Sequence, residues 1–162
     1  MNSNMKLKGS YLIEIRDAET GKLLAAQRFD NQLTNINRAV RAQMLTGTYD
    51  GNANDLTIKY FAFGNGANTG EHAPSAADTQ LVNEIYRKQV TKLTEISPGI
   101  VQSIVSLGSL ECNEQITEIG VFAGNSASGA ANTGNLLSRV SVNLEKNTNL
   151  VLNVLRTDTC LI

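Results

Sequence analysis

The chain has 162 residues, 41% of them hydrophobic, with 14 Lys+Arg against 15 Asp+Glu for a formal net charge of −1. That is enough chain for one globular domain with a sizeable core, and it lacks the cationic excess that a nucleic-acid partner would call for. No apolar run approaches the roughly 20 residues of a membrane helix, and the opening MNSNMKLKGS has no apolar stretch of the secretory kind. The expectation is a protein made in a cytoplasm, without membrane insertion. Trp is absent and aromatics are only 5%, which weakens any reading based on stacking against sugars or bases. Cys112 and Cys160, far apart and in no motif, are expected as two buried thiols rather than a disulfide.

The first element is Tyr11 to Asp17, where Tyr11, Ile13 and Ile15 alternate with Glu14 and Arg16. A period of two reads as a half-buried strand. Glu19-Thr-Gly-Lys22 is a turn, and Leu23 to Phe29 returns, so residues 10–29 form a β-hairpin. A short helix follows at about 36–45, with Ile36, Ala39, Val40 and Met44 on one stripe, Thr34 or Asn35 as N-cap and Gly47 past its end. Ile58 to Phe63 is dense in apolar groups, the mark of a central strand covered on both faces. Gly64 to Ala77 is loop, Asp78 to Asn83 is expected to make one helical turn, and Glu84 to Lys92 is extended. Three more strands are expected at 100–110, 116–123 and 136–142, and a last one at Leu150 to Leu155. Asn125 to Gly134 holds only small and polar residues and is expected to be a mobile loop tip. The predicted class is mainly β: a single β-sandwich-like domain over 1–162, of seven or eight short strands and one short helix.

None of the candidate chemistry assembles into a site. Gly64-x-Gly66 follows a strand but lacks the third glycine of a dinucleotide fingerprint, and Pro74 intervenes before any helix. A turn needing positive φ is the expected role of these glycines. His72 is the only histidine and lies in a Gly/Pro loop beside Glu71. Neither cysteine has a visible activating partner, and no spacing of His, Cys and carboxylates suits a metal. Glu111, Glu114 and Glu118 could supply a carboxylate pair, although fifteen acidic residues make such neighbours common. Glu84 and Arg87 would point to opposite faces of a regular strand, each expected to pair with another segment. No catalytic, cofactor-binding or metal site is assigned, and no enzyme activity is expected.

Several stretches, taken in order, resemble a family of phage tail and tail-collar fibre proteins. They are Asn31-x-x-Thr34-Asn35 before a helix ending Met44-Leu-Thr-Gly47, and the run from Ile58 to Gly66. Ala77-Asp78-Thr79-x-Leu81-x-x-Glu84-x-x-Arg87 and Ile116-Thr-Glu-Ile-Gly-Val-Phe122 come next, then Gly134-Asn-Leu-Leu-Ser-Arg139 and Glu145-Lys146. The resemblance covers a module of about 31–155, behind the N-terminal hairpin at about 10–29. It implies a virion structural protein with no enzymatic site. The family's fibre members usually continue into a long shaft, and this sequence ends at Ile162, so the expectation is a connector, collar or baseplate component. Expected partners are itself, with a trimer favoured by the resemblance, and other virion proteins. A capsid decoration or head-fibre protein, or a carbohydrate-binding module for host-surface glycan, are the alternatives.

Overall fold

A computed structural model describes the backbone of residues 6–67 and 69–161, without the side chains of 6, 7, 53, 160 and 161. In chain order the strands are β1 (Lys6–Asp17), β2 (Leu23–Asp30), β3 (Gln32–Leu33), β4 (Ile58–Gly64), β5 (Glu84–Gln89) and β6 (Lys92–Ser97). They continue with β7 (Ile100–Leu107), β8 (Gln115–Ala123), β9 (Asn135–Glu145) and β10 (Leu150–Leu161). One α-helix, α1 (Asn35–Thr46), lies between β3 and β4. The protein is therefore mainly β, with two antiparallel five-stranded sheets, the inventory of a β-sandwich-like class. Among the described residues there are ten strands where seven or eight were expected; β3 and β6 are the additions. The chain divides into two compact units.

The first unit takes the segment ending at Asn31, Val90–Asn113 and the segment from Lys146 onward. Its sheet has the order β2-β1-β10-β7-β6. The first and last strands pair without a break, from Lys6 opposite Leu161 to Asp17 opposite Leu150. β10 was expected to end at Leu155. It runs on to Leu161 and is the central strand, with β1 on one side and β7 on the other. Beyond Leu155 the buried polar Arg156 and Asp158 keep the alternation but carry no apolar signal. Side chains on one face meet in rungs across three strands, Ile13 with Val154 and Val105, and Tyr11 with Arg156 and Ser103. All six are fully buried, and each such aliphatic side chain contributes about 1.5–3 kcal/mol. Arg156 stays in this company by donating to Asp158 Oδ1 (2.6 Å) and lying 5.9 Å over the Tyr11 ring.

The second unit comprises Gln32–Gln89 and Glu114–Glu145, with sheet order β3-β9-β8-β4-β5. β4 is covered on both faces as expected, since the consecutive Phe61, Ala62 and Phe63 are all fully buried. α1 spans one residue more at each end than expected, and Gly47 closes it at φ 69°. Its buried side chains are Asn37 and Val40, whereas Ile36 and Met44 of the expected stripe are 38% and 39% exposed. Asn37 turns inward because it has a partner there, donating to the Leu137 carbonyl (3.1 Å) while accepting from Arg41 Nε (2.7 Å). Thr34 is the N-cap residue, but its hydroxyl donates to the Leu136 carbonyl (2.5 Å) instead of capping. No helical turn forms over 78–83; the only short helical turns described are 3-10 segments at Ala53–Leu56 and Gly70–His72.

The β1–β2 turn generates a test. Asp17 Oδ1 accepts from the Thr20 hydroxyl (2.7 Å), the Thr20 N–H (2.7 Å) and the Glu19 N–H (3.2 Å). These bonds, the Thr20 hydroxyl first, hold its carboxyl below the ordinary aspartate value. A carboxyl lowered in the folded state supports the fold above the unfolded-state value, and that support fades as pH falls through the folded one. Asp17→Asn is expected to lower the melting temperature near neutral pH, and the gap from wild type should close as melts are taken down to about pH 2.

Candidate functional site

One face of the second sheet carries two arginine–glutamate pairs on adjacent rungs. The first rung runs Arg139–Gly120–Ala62–Arg87 across β9, β8, β4 and β5. The next runs Glu118–Gly64–Glu84. Charged residues thus flank the smallest ones, which leaves a trough along the sheet. Leu81 fills it. A methyl group added at Gly120 would meet Leu81 Cδ2 at 2.7 Å, and one at Gly66 would meet Val82 Cβ at 2.6 Å. At Gly64 it would meet Glu118 Oε1 at 2.5 Å and the Asn83 carbonyl at 2.7 Å. Gly64 and Gly66 are therefore needed for close approach. The expected positive φ is not found at either.

The inner pair is sealed. Glu118 is fully buried and Arg139 is 2% exposed. Arg139 Nε donates to Glu118 Oε2 (2.8 Å), Nη1 to Asp78 Oδ2 (3.0 Å) and Nη2 to the His72 carbonyl (2.8 Å). Glu118 also accepts the backbone N–H groups of Val82 (3.1 Å) and Asn83 (2.9 Å). The whole 72–83 stretch is hung on these two side chains, which explains why no helical turn forms there: its backbone donors are already spent on a carboxylate. An open concavity of about 380 Å³ lies here, lined by His72, Asp78, Leu81 and Arg139 among others. Each of the three guanidinium nitrogens donates once, to Glu118, Asp78 and the His72 carbonyl, so Arg139 fastens the loop to the sheet.

The outer pair fastens a second loop. Arg87 and Glu84 would lie on opposite faces of a regular strand. Between them Phe63 pairs with Tyr86 but Gly64 pairs with Glu84, so Ile85 is a bulge. The extra residue shifts the alternation and puts both side chains on one face. They meet as a bidentate pair at 2.6 and 2.9 Å. Arg87 Nη1 then donates to the carbonyls of Thr133 (2.8 Å) and Ser128 (3.0 Å), and Glu84 Oε2 accepts the Asn132 N–H (2.9 Å). The guanidinium lies 4.3 Å over the Phe122 ring. Asn125 to Gly134, expected as a mobile tip, is instead tied to β5 by its backbone. The donor and acceptor were invisible in its own composition because both are supplied from forty residues away.

The remaining candidates are scattered or occupied. His72 carries its imidazole at the surface, 3.5 Å from Glu71. Glu111 accepts the Gly108 N–H (2.7 Å) and Glu114 accepts from Asn65 (3.3 Å), so the three carboxylates weighed together each serve a different partner. No cluster of three potential metal ligands occurs among the described residues. Cys112 is half-buried, and the Cys160 side chain lies outside the described residues. Lys146 is 3% exposed and donates to Asn113 Oδ1 (2.9 Å); its burial pushes the ammonium below the ordinary lysine value. Tyr49 donates to Asp55, which raises its hydroxyl to about 12. As a glycan platform the aromatics are poorly placed, since Phe61 is fully buried, Tyr60 packs against the core and Tyr49 is bonded to Asp55. No helix among the described residues is long and apolar enough to cross a membrane. Comparison with family models, characterised proteins and solved structures finds no match to this chain.

Breaking the sealed pair should be costly. Arg139→Met leaves the Glu118 charge buried without its partner, and denaturant unfolding is expected to show a loss of about 3–5 kcal/mol. Gly64→Ala is expected to cost about 1–3 kcal/mol by overpacking, whereas Gly129→Ala, with nothing within 4 Å of the added methyl, should be close to neutral. Arg87→Ala should release the 125–134 segment, read out as faster cleavage there in limited proteolysis with the rest of the digestion pattern retained.

Proposed function

We propose that this chain is a structural component of a bacteriophage particle, a connector of the tail, collar, baseplate or fibre, which works by binding other virion proteins and copies of itself and not by catalysis. One observation carries the reading. The separate stretches that resemble the phage tail and collar family are the stretches that supply the second unit's fastenings. Thr34 holds β9, Gly64 and Gly66 make room for Val82 and Asn83, and Leu81 fills the trough. Asp78, Glu118 and Arg139 form one lock, and Glu84 and Arg87 the other. Scattered along the sequence, they are parts of a single device in the fold.

What the device does supports an assembly role. Buried ion pairs return little net stability for the desolvation they cost, and their use is to impose one geometry. Here that geometry is the shape of two long polar loops, 65–83 and 124–134. A loop held in its final shape gives up less conformational entropy on docking, which suits a part that must fit several neighbours in a particle. The reading is tested on particles purified from lysate through a density gradient. The chain is expected to stay with washed particles at a fixed ratio to the major structural proteins, and antibody against it should label the tail end in negative stain. Label over the head would move the protein to a capsid decoration role, and its loss on washing would overturn the proposal.

A further inference from the structure

Lys146, the first residue after β9, is buried to 3% exposure, and its Nζ donates to two amide oxygens, Asn113 Oδ1 (2.9 Å) and the Asn147 carbonyl (3.0 Å). Both acceptors are held in place. The turn over 108–113 is closed by the Gly108 N–H on Glu111 Oε2 (2.7 Å) and by the Glu111 N–H on the Gly108 carbonyl (3.2 Å). Cys112 takes the left-handed conformation there, at φ 50°, and Asn113 Nδ2 turns back to donate to the Ser109 carbonyl (2.9 Å). On the other side the Asn147 carbonyl also accepts the Leu150 N–H (3.1 Å), and the Asn147 side chain accepts the Asn149 N–H (2.9 Å). A lysine amine is thus fixed against a side-chain amide. Burial holds the ammonium below the ordinary lysine value, which leaves more of it as free amine. A desolvated lysine amine is a nucleophile.

We propose that Lys146 and Asn113 join in an intramolecular isopeptide bond, formed by the folded chain itself. The amine attacks Asn113 Cγ. The Nζ–Cγ bond forms, the Cγ–Nδ2 bond breaks, and one proton passes from Nζ to Nδ2, so that ammonia leaves; nothing is oxidised or reduced. Glu111, two residues from Asn113, is the carboxylate whose charge acts on Lys146, and it carries that proton. Asn113 itself is exposed, which gives the ammonia a way out. Amides resist amines in open solution, but fixing the two groups in contact turns a slow encounter into a reaction within one molecule. The bond ties the turn after β7 to the connection that enters β10, both within the first unit, and closes a covalent loop around β8 and β9. Such a loop restricts the unfolded chain as a disulfide does, and it needs no oxidising compartment. This chemistry is independent of whether the chain belongs to a particle.

The test is the intact mass of the purified full chain, followed by sequencing of its digest in the mass spectrometer. Wild type is expected to be one ammonia lighter than its sequence mass, with a branched peptide that joins Lys146 to Asn113. Lys146→Arg and Asn113→Ala should both return to the full mass, with melting curves confirming that they fold; the exposed Asn113 is the safer of the two positions to change. Glu111→Gln keeps an oxygen for the Gly108 N–H and should lower the linked fraction, at a fixed time after synthesis, about tenfold or more. Wild type at its full sequence mass overturns the inference. So does an ammonia loss traced to Asn65–Gly66, since that is a succinimide of the backbone and not a cross-link. A linked fraction that Glu111→Gln leaves unchanged overturns the role given to Glu111.

Discussion

The Glu118 carboxylate sits in the middle of a β-sheet with no access to water, and nearly everything distinctive in the second unit follows from keeping it there. An isolated carboxylate in such a place would cost many kcal/mol. It is tolerated because Arg139 meets it diagonally across the β8–β9 ladder, and because two backbone N–H groups of the 82–83 stretch take up its remaining capacity. That demand shapes the neighbours. The backbone can come close enough to donate only because residues 64, 66 and 120 have no side chain. Leu81, arriving with it, covers the face that the glycines leave open and joins Ala62, Phe122 and Leu136 in the core. Charge, glycine placement and apolar packing are here one constraint seen from three sides.

The first unit solves the same problem with less. Its buried arginine, Arg156, has one carboxylate partner, Asp158, two positions along its own strand. The Nε and Nη1 of Arg156, the Ser103 hydroxyl and the Asn31 amide have no protein partner among the described residues. Around them the rungs are apolar, and the long β1–β10 ladder supplies what the side chains do not. One sheet holds its shape through backbone pairing over twelve residues, the other through side-chain locks on shorter strands.

Strands with clean alternation or dense apolar content were legible from the residues: the hairpin, β4, β7 and β8 all fall where their patterns place them. Failures occurred where a residue's role is set from far away. Glu84 and Arg87 read as opposed because a one-residue bulge at Ile85 leaves no mark in composition. Asn125 to Gly134 read as mobile because its anchor is Arg87. The stripe of Ile36, Ala39, Val40 and Met44 misses the buried face of α1, because the carbonyl that draws Asn37 inward belongs to Leu137, a hundred residues later. By composition Glu118 is one of several acidic residues, and its place inside an otherwise apolar strand is the one sign of its burial that the sequence carries.

The pairing of residues 6–17 with residues 150–161 has a consequence for how the chain is made. Every strand of the second sheet is encoded between Gln32 and Glu145, so that sheet does not wait for β10. The first sheet has no such option. β1 is translated first and must wait for β10, its partner along its whole length, and β10 is also the strand that β7 pairs with. Contacts so distant in sequence form slowly, because the loop that separates them must be closed before any bond rewards it. During that interval β1 has only β2 beside it, over Ser10–Arg16, and its other edge is bare. Its exposure at that stage makes translation speed through the codons of β10, and any chaperone that shields strand edges, a determinant of how much of the protein reaches its native state.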